Sequence, residues 1–137
     1  MYLLDSCTIS DFMKGDANTS TKLKSIAPTE IYTSTITQLE IQYGLLRKFT
    51  SSHKYFTILE DFLSVITILP FGTNAASFSA QIKTDLESKG TSIGSYDILI
   101  AGIAKSENLT LVTSNEKEFV RVNGLVIENW RNQNSTK

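Results

Sequence analysis

The stretch IGSYDILIAGIAKSENLTLVTSN, residues 93–115, joins two patterns. Asp97 opens a run of apolar and small residues that reaches Ser106, long enough for a helix. Leu109 to Thr113 is a short apolar run, the composition of a buried strand, and its end is polar: Thr113, Ser114, Asn115. A helix followed at once by a buried strand points to helices packed on a parallel sheet. It also poses a question. A charge stands at the mouth of a buried helix, close in sequence to the polar end of a strand.

The same alternation extends in both directions. Residues 2–5, 31–34, 66–69, 109–113 and 126–128 read as strands. Residues 8–14, 19–27, 35–48, 51–65, 73–88, 97–106 and 116–120 read as helices. Gly15-Asp16, Pro28, Pro70 and Lys89-Gly90 punctuate them. Over 35–48, Ile36, Leu39, Tyr43 and Leu46 recur at steps of three and four, which predicts that this stripe is buried. Ile58, Leu59, Phe62, Leu63 and Ile66 form the stripe of the next helix. The expected fold class is α/β, an α/β/α sandwich with a mostly parallel central sheet. In such folds ligands sit beyond the carboxyl ends of the strands.

The 137 residues fit a single domain, 1–137. With 41% hydrophobic and 20% charged residues the chain is ordinary for a globule. One cysteine, Cys7, excludes an intrachain disulfide and fits a reducing compartment, the cytoplasm. The start, MYLLDSC, lacks the layout of a signal peptide, and no apolar run nears the roughly 18 residues that cross a bilayer. No membrane association is expected. A net charge of −1 excludes nucleic-acid binding by bulk electrostatics, so any such role needs a local basic patch or a metal. RKFTSSHK, residues 47–54, supplies one patch: Arg47, Lys48, His53 and Lys54. Its simplest reading is a solvated helix end, where cations are favoured anyway; its sharper one is RNA contact through Arg47, Lys48 and Lys54.

Acids gather at the strand ends. Asp5 closes the first strand. Glu40 lies in the helix after the second, beside its apolar stripe, with Gly44 one turn on; a helical glycine costs about 1 kcal/mol relative to alanine and leaves space. Asp97 starts its helix near the same rim, with Ala101 and Ala104 above it. Glu116 and Glu118 follow Thr113 and Asn115. Each has a bland reading: Asp97 as an N-cap, Asp5 as a strand end, Glu40 as a stray acid, Glu116 and Glu118 as solvated residues. Together they are placed for one pocket. Clustered carboxylates repel, and a divalent cation supplies the counter-charge. Oxygen-only ligands suit Mg²⁺ or Mn²⁺, and such a site suits phosphodiester hydrolysis.

YLLDSCTIS, STITQLEIQYGL, KGTSIGSYDILIAGIAK and LVTSNEKEFVRVNGLVIENW together resemble the VapC toxins of bacterial type II toxin–antitoxin systems, which are PIN-domain proteins. The resemblance spans essentially the whole chain. It implies a metal-dependent endoribonuclease cutting RNA, with initiator tRNA as a candidate, Mg²⁺ or Mn²⁺ as cofactor, a homodimer, neutralisation by a VapB-type antitoxin, and promoter DNA bound through the antitoxin complex. The antitoxin would dock in the groove near the acids, by Phe12, Met13 and Tyr43. The family's three acids match Asp5, Glu40 and Asp97, and its late serine or threonine matches Thr113. Where the family usually has D-T-N, this chain has Asp5-Ser6-Cys7. Ser6 keeps the hydroxyl and Cys7 loses an amide. The frequent T-x-D acid is Asn115 here, and Glu118 rather than Glu116 is the expected fourth acid. Ser6 and Asn115 are supporting residues.

Two rivals remain at this stage. One is a PIN-like module with a decayed metal site, acting only in antitoxin and promoter complexes; Cys7 and Asn115 support it. The other is a phosphoacceptor receiver domain, which lacks here its acidic pair after the first strand, its acceptor Asp at Ser34 and its Lys at Thr113.

Overall fold

The computed structural model describes residues 1–131; residues 132–137 of the expected domain lie outside the described residues. The elements run β1 (Tyr2–Leu4), α1 (Ser6–Met13), α2 (Ala17–Lys24), a 3-10 turn (Pro28–Glu30), β2 (Ile31–Ser34), α3 (Thr35–Lys48), α4 (Lys54–Ser64), β3 (Thr67–Leu69), α5 (Thr73–Ser88), α6 (Ser95–Ser106), β4 (Thr110–Val112), α7 (Glu116–Phe119) and β5 (Ile127–Glu128). The strands form one sheet in the order β3-β2-β1-β4-β5. Every pairing between them is parallel.

Adjacent strand residues point to opposite faces, and the core divides accordingly. Leu3 and Leu111 pack under α5 and α6 with Ile82, Leu86, Ile100 and Ile103. Leu4 and Val112 pack under the first four helices with Ile9, Ile41, Leu45, Leu59 and Phe62. These are the two outer layers of an α/β/α sandwich. Trp130 closes the second core, edge-on to Tyr2 at 5.5 Å between ring centres.

Helices α5 and α6 approach closely. A Cβ on Gly102 would overlap the Ser79 hydroxyl and come within 2.8 Å of the Ala75 carbonyl. Ser79 Oγ donates to the Ile98 carbonyl at 2.9 Å. Ala101 and Ala104 are fully buried in the same core, so the small residues above Asp97 serve packing rather than open space beside the acid.

Of the stripe expected to bury α3, Ile36 alone packs partly into the core. Leu39, Tyr43 and Leu46 are 49%, 59% and 65% exposed. Thr37, Ile41 and Leu45 bury the helix instead. The helix carries two apolar faces, and periodicity alone cannot rank them.

The chain crosses from β3, at one edge, through α5 and α6 to β4 on the far side of β1. The sheet therefore reverses its winding beside β1, and its ligand crevice lies at the carboxyl ends of β1, β2 and β4.

Candidate active site

Asp5 leaves the end of β1, is 4% exposed and caps α1, its Oδ1 accepting from the Thr8 N–H at 3.0 Å. Helix α1 thus starts at Ser6, two residues earlier than its apolar spacing predicts, because Asp5 is followed by residues that take the cap. Cys7 Sγ donates weakly to Asp5 Oδ2 at 3.5 Å. The fully buried Thr113 hydroxyl lies beside Asp5 and favours its charged form. Burial nonetheless outweighs these contacts and raises the Asp5 pKa.

Glu40 comes in from α3. Ser34, at the end of β2, caps that helix by accepting from Thr37 N–H at 3.0 Å. The Glu40 carboxyl is pushed up by burial, then by the charges of Asp97 and Asp5; the Ser6 hydroxyl opposes this. Its Oε1 is buried without a hydrogen-bond partner. Gly44 lines a groove of about 300 Å³ with Glu40, Ser6 and Lys48, and nothing lies within 4 Å of where its side chain would start.

Asp97 lies in the first turn of α6, which starts at Ser95 and has Gly94 as its N-cap. It is therefore not the helix's own cap. Burial, then Glu118, then Asp5, push its carboxyl up to about 6. Glu118 stands on α7, its Oε2 accepting from Asn115 Nδ2 at 3.0 Å and its Oε1 from the Gly94 N–H at 3.3 Å. Glu116 accepts instead from Asn129 at 2.9 Å, and of the two it is Glu118 whose charge acts on Asp97.

Acids from four separate segments thus act on one another. No cationic side chain figures among the causes that shift Asp5, Glu40 or Asp97. Among the described residues, no three His, Cys, Asp or Glu side chains form a ready-made cation cage. Mutual repulsion gives a reason: like charges with no counter-ion between them do not close on a common point. The donor set fits a hard divalent cation, being carboxylate and hydroxyl oxygen with one buried carboxylate oxygen that no protein donor satisfies.

The basic patch divides. Lys48 lines the groove beside Glu40, and so does Lys14, a lone cation at the end of α1 that no local pattern marks. Arg47 lies over the Tyr43 ring at 5.4 Å, and Lys54 over Tyr55 at 5.9 Å. His53 stacks on Phe49 at 3.9 Å, and its Nδ1 accepts from the Tyr55 N–H. Met13 lines the groove, while Phe12 packs against Phe62 at 5.0 Å. Tyr43 lies outside that groove, on the exposed strip of α3 with Leu39 and Leu46. Burial pushes the Cys7 thiol up to about 11, with the Asp5 charge adding to it, so the thiol stays protonated and unreactive at neutral pH.

This arrangement of fold and acids has a match. The PIN domain model matches residues 2–125. The chain belongs to the PIN-domain family, with the VapC proteins. The tRNA(fMet)-specific endonuclease VapC of Salmonella typhimurium is 33% identical over 129 residues, 94% of this chain and 97% of that one. Ribonuclease VapC2 of Rickettsia felis is 41% identical over 97 residues, 71% of this chain and 72% of its own length. In the crystal structure of VapBC2 from Rickettsia felis bound to a DNA fragment from their promoter, a chain 34% identical superposes with a TM-score of 0.87, covering 94% of this chain and 98% of that one. PIN-domain membership removes the receiver-domain rival. Relatives named as ribonucleases support nuclease chemistry for this PIN domain over a binding-only role. Among the described residues, no helix is long and apolar enough to cross a membrane.

Proposed function

We propose that the chain is the toxin of a VapBC-type toxin–antitoxin pair, a single-domain, cytoplasmic, metal-dependent endoribonuclease whose active centre is Asp5, Glu40 and Asp97. One observation carries the reading: burial raises the proton affinity of three carboxyl groups from β1, α3 and α6, the Asp5 charge adds to it at both of the others and the Asp97 charge at Glu40, and Glu40 holds a buried oxygen without a donor. Asp5, Glu40 and Asp97 would hold Mg²⁺ or Mn²⁺ there. The bound cation lowers the pKa of an attacking water and offsets charge on the phosphoryl oxygens.

The chain's own residues prepare that chemistry. The cap on Thr8 and the Thr113 hydroxyl fix Asp5. Ser6 steadies the charged form of Glu40. Glu118 and Asn115 complete the rim, and Lys14 and Lys48 offer cationic charge along the adjoining groove for a polyphosphate backbone. Arg47 and Lys54 extend it over the neighbouring surface.

The similarity to a tRNA(fMet)-specific endonuclease makes initiator tRNA the proposed substrate. VapBC complexes on promoter DNA make a VapB-type antitoxin and, through it, operator DNA the proposed partners. A homodimer is proposed too. The exposed strip Leu39, Tyr43 and Leu46, with Tyr96 alongside, is apolar surface suited to that contact. Mapping the new RNA ends after incubating total tRNA with antitoxin-free protein tests the substrate. A single cut in the anticodon loop of initiator tRNA is expected; cuts scattered over many tRNAs would contradict that specificity.

A further inference from the structure

Helix α6 starts at a residue with no side chain to bind its free N–H groups, since its N-cap is Gly94. The Gly94 N–H donates instead to Glu118 Oε1 at 3.3 Å. The other oxygen of Glu118 accepts from Asn115 Nδ2 at 3.0 Å. Asn115 is itself anchored, its backbone N–H donating to Thr113 Oγ1 at 2.9 Å, and Thr113 lies beside Asp5. Nearby, Arg121 donates to the Ser92 carbonyl at 3.1 Å. The α7 turn therefore grips the loop before α6 at two points. Gly94 in turn lies against Asp97: a Cβ on it would stand 3.4 Å from Asp97 Oδ2. A chain of contacts, Asp5–Thr113–Asn115–Glu118–Gly94, runs from the end of β1 to the start of α6.

We infer that Glu118 is a positioning residue, which sets Asp97 against Asp5 by holding the start of α6, rather than the fourth oxygen ligand that the sequence suggests. The inference rests on the reading of Asp5, Glu40 and Asp97 as the cation-holding set. Each Glu118 oxygen accepts one protein donor, the Gly94 N–H or the Asn115 amide, and these two bonds hold the carboxylate at the start of α6; an oxygen that also met a cation would share its charge with that donor. A negative charge at the start of α6 is also favourable in its own right, because the helix dipole is positive there.

The test uses the full chain as wild type, Glu118→Gln, Glu118→Ala and Asp97→Asn. Amide hydrogen exchange at Gly94 is read without added metal, and Mn²⁺ affinity is read by electron paramagnetic resonance. Glutamine keeps a carbonyl oxygen for the Gly94 N–H and loses the charge. Glu118→Gln is expected to keep slow exchange at Gly94 and to hold Mn²⁺ within about threefold of wild type. Glu118→Ala is expected to speed Gly94 exchange by about fivefold or more and to weaken Mn²⁺ by about tenfold, the range of a lost supporting contact. Mn²⁺ binding lost as fully in Glu118→Gln as in Glu118→Ala, with Gly94 exchange slow in Glu118→Gln, would make Glu118 a ligand and overturn the inference. So would unchanged Gly94 exchange in Glu118→Ala. If the alanine variant does not fold, Glu118→Gln decides alone: Mn²⁺ held within about threefold of wild type with slow Gly94 exchange supports the inference, and Mn²⁺ weakened by about tenfold or more with Gly94 exchange still slow overturns it. Wild-type Mn²⁺ affinity in Asp97→Asn would instead overturn the cation-holding reading, whatever position 118 does.

Discussion

Asp97 has its carboxyl raised to about 6, which means the folded chain holds that proton more tightly than the unfolded chain does. The sign follows from linkage: the contribution to stability is full below the unfolded pKa and is lost as pH rises through about 6. Above that pH, without a cation, the ionised group is a liability. Asp97→Asn should therefore raise the melting temperature of EDTA-treated protein at pH 8 by a few degrees, about 1 kcal/mol once solvent screening of a half-buried group is allowed for. The gain should vanish near pH 4, and Mn²⁺ should stabilise the wild type more than the variant. Melting curves at the two pH values check this; an Asp97→Asn protein less stable than wild type at pH 8 would count against it. Asp5 and Asp97 were legible in the sequence as charges set against apolar runs at a strand end and a helix start, and Glu40 as an acid beside the apolar stripe inside α3. The contacts of Glu118 were not. The one with Gly94 joins residues 24 positions apart, through a backbone N–H that no sequence pattern marks.

At the scale of elements, local signals located almost every helix and strand, and tertiary contacts decided which faces they bury. Helix α3 shows the limit. Leu39, Tyr43 and Leu46 have the spacing of a core stripe, yet the sheet and α4 take Ile41 and Leu45 instead. Helix α6 shows the converse. Its small residues look like room left for a ligand and are in fact a close contact with α5. Gly102→Ala should then cost about 2 kcal/mol, as overpacking does, because its methyl group meets the Ser79 hydroxyl and the Ala75 carbonyl. Urea unfolding of the variant measures it. A loss below about 0.5 kcal/mol would mean that α5 and α6 are free to part.

For the whole molecule, the reversal of the sheet beside β1 is what brings Asp5, Glu40 and Asp97 together from distant parts of the chain. The alternation of helices and strands announced such a crevice. It did not announce the apolar strip left outside it. If that strip joins two copies, Leu46→Glu should shift sedimentation from dimer to monomer while thermal stability stays within about 0.5 kcal/mol, since Leu46 is 65% exposed. A Leu46→Glu dimer as tight as wild type would place the contact elsewhere. The most direct test of the central claim is cleavage of total tRNA by antitoxin-free protein with Mg²⁺ or Mn²⁺, with EDTA, and with Asp5→Asn, a change that keeps a capping side chain for α1. Cuts at discrete sites that need the cation and fall by at least about a hundredfold in the variant are the predicted result. Equal cleavage in EDTA, or by a folded Asp5→Asn protein, would contradict a metal-dependent nuclease centred on Asp5, Glu40 and Asp97.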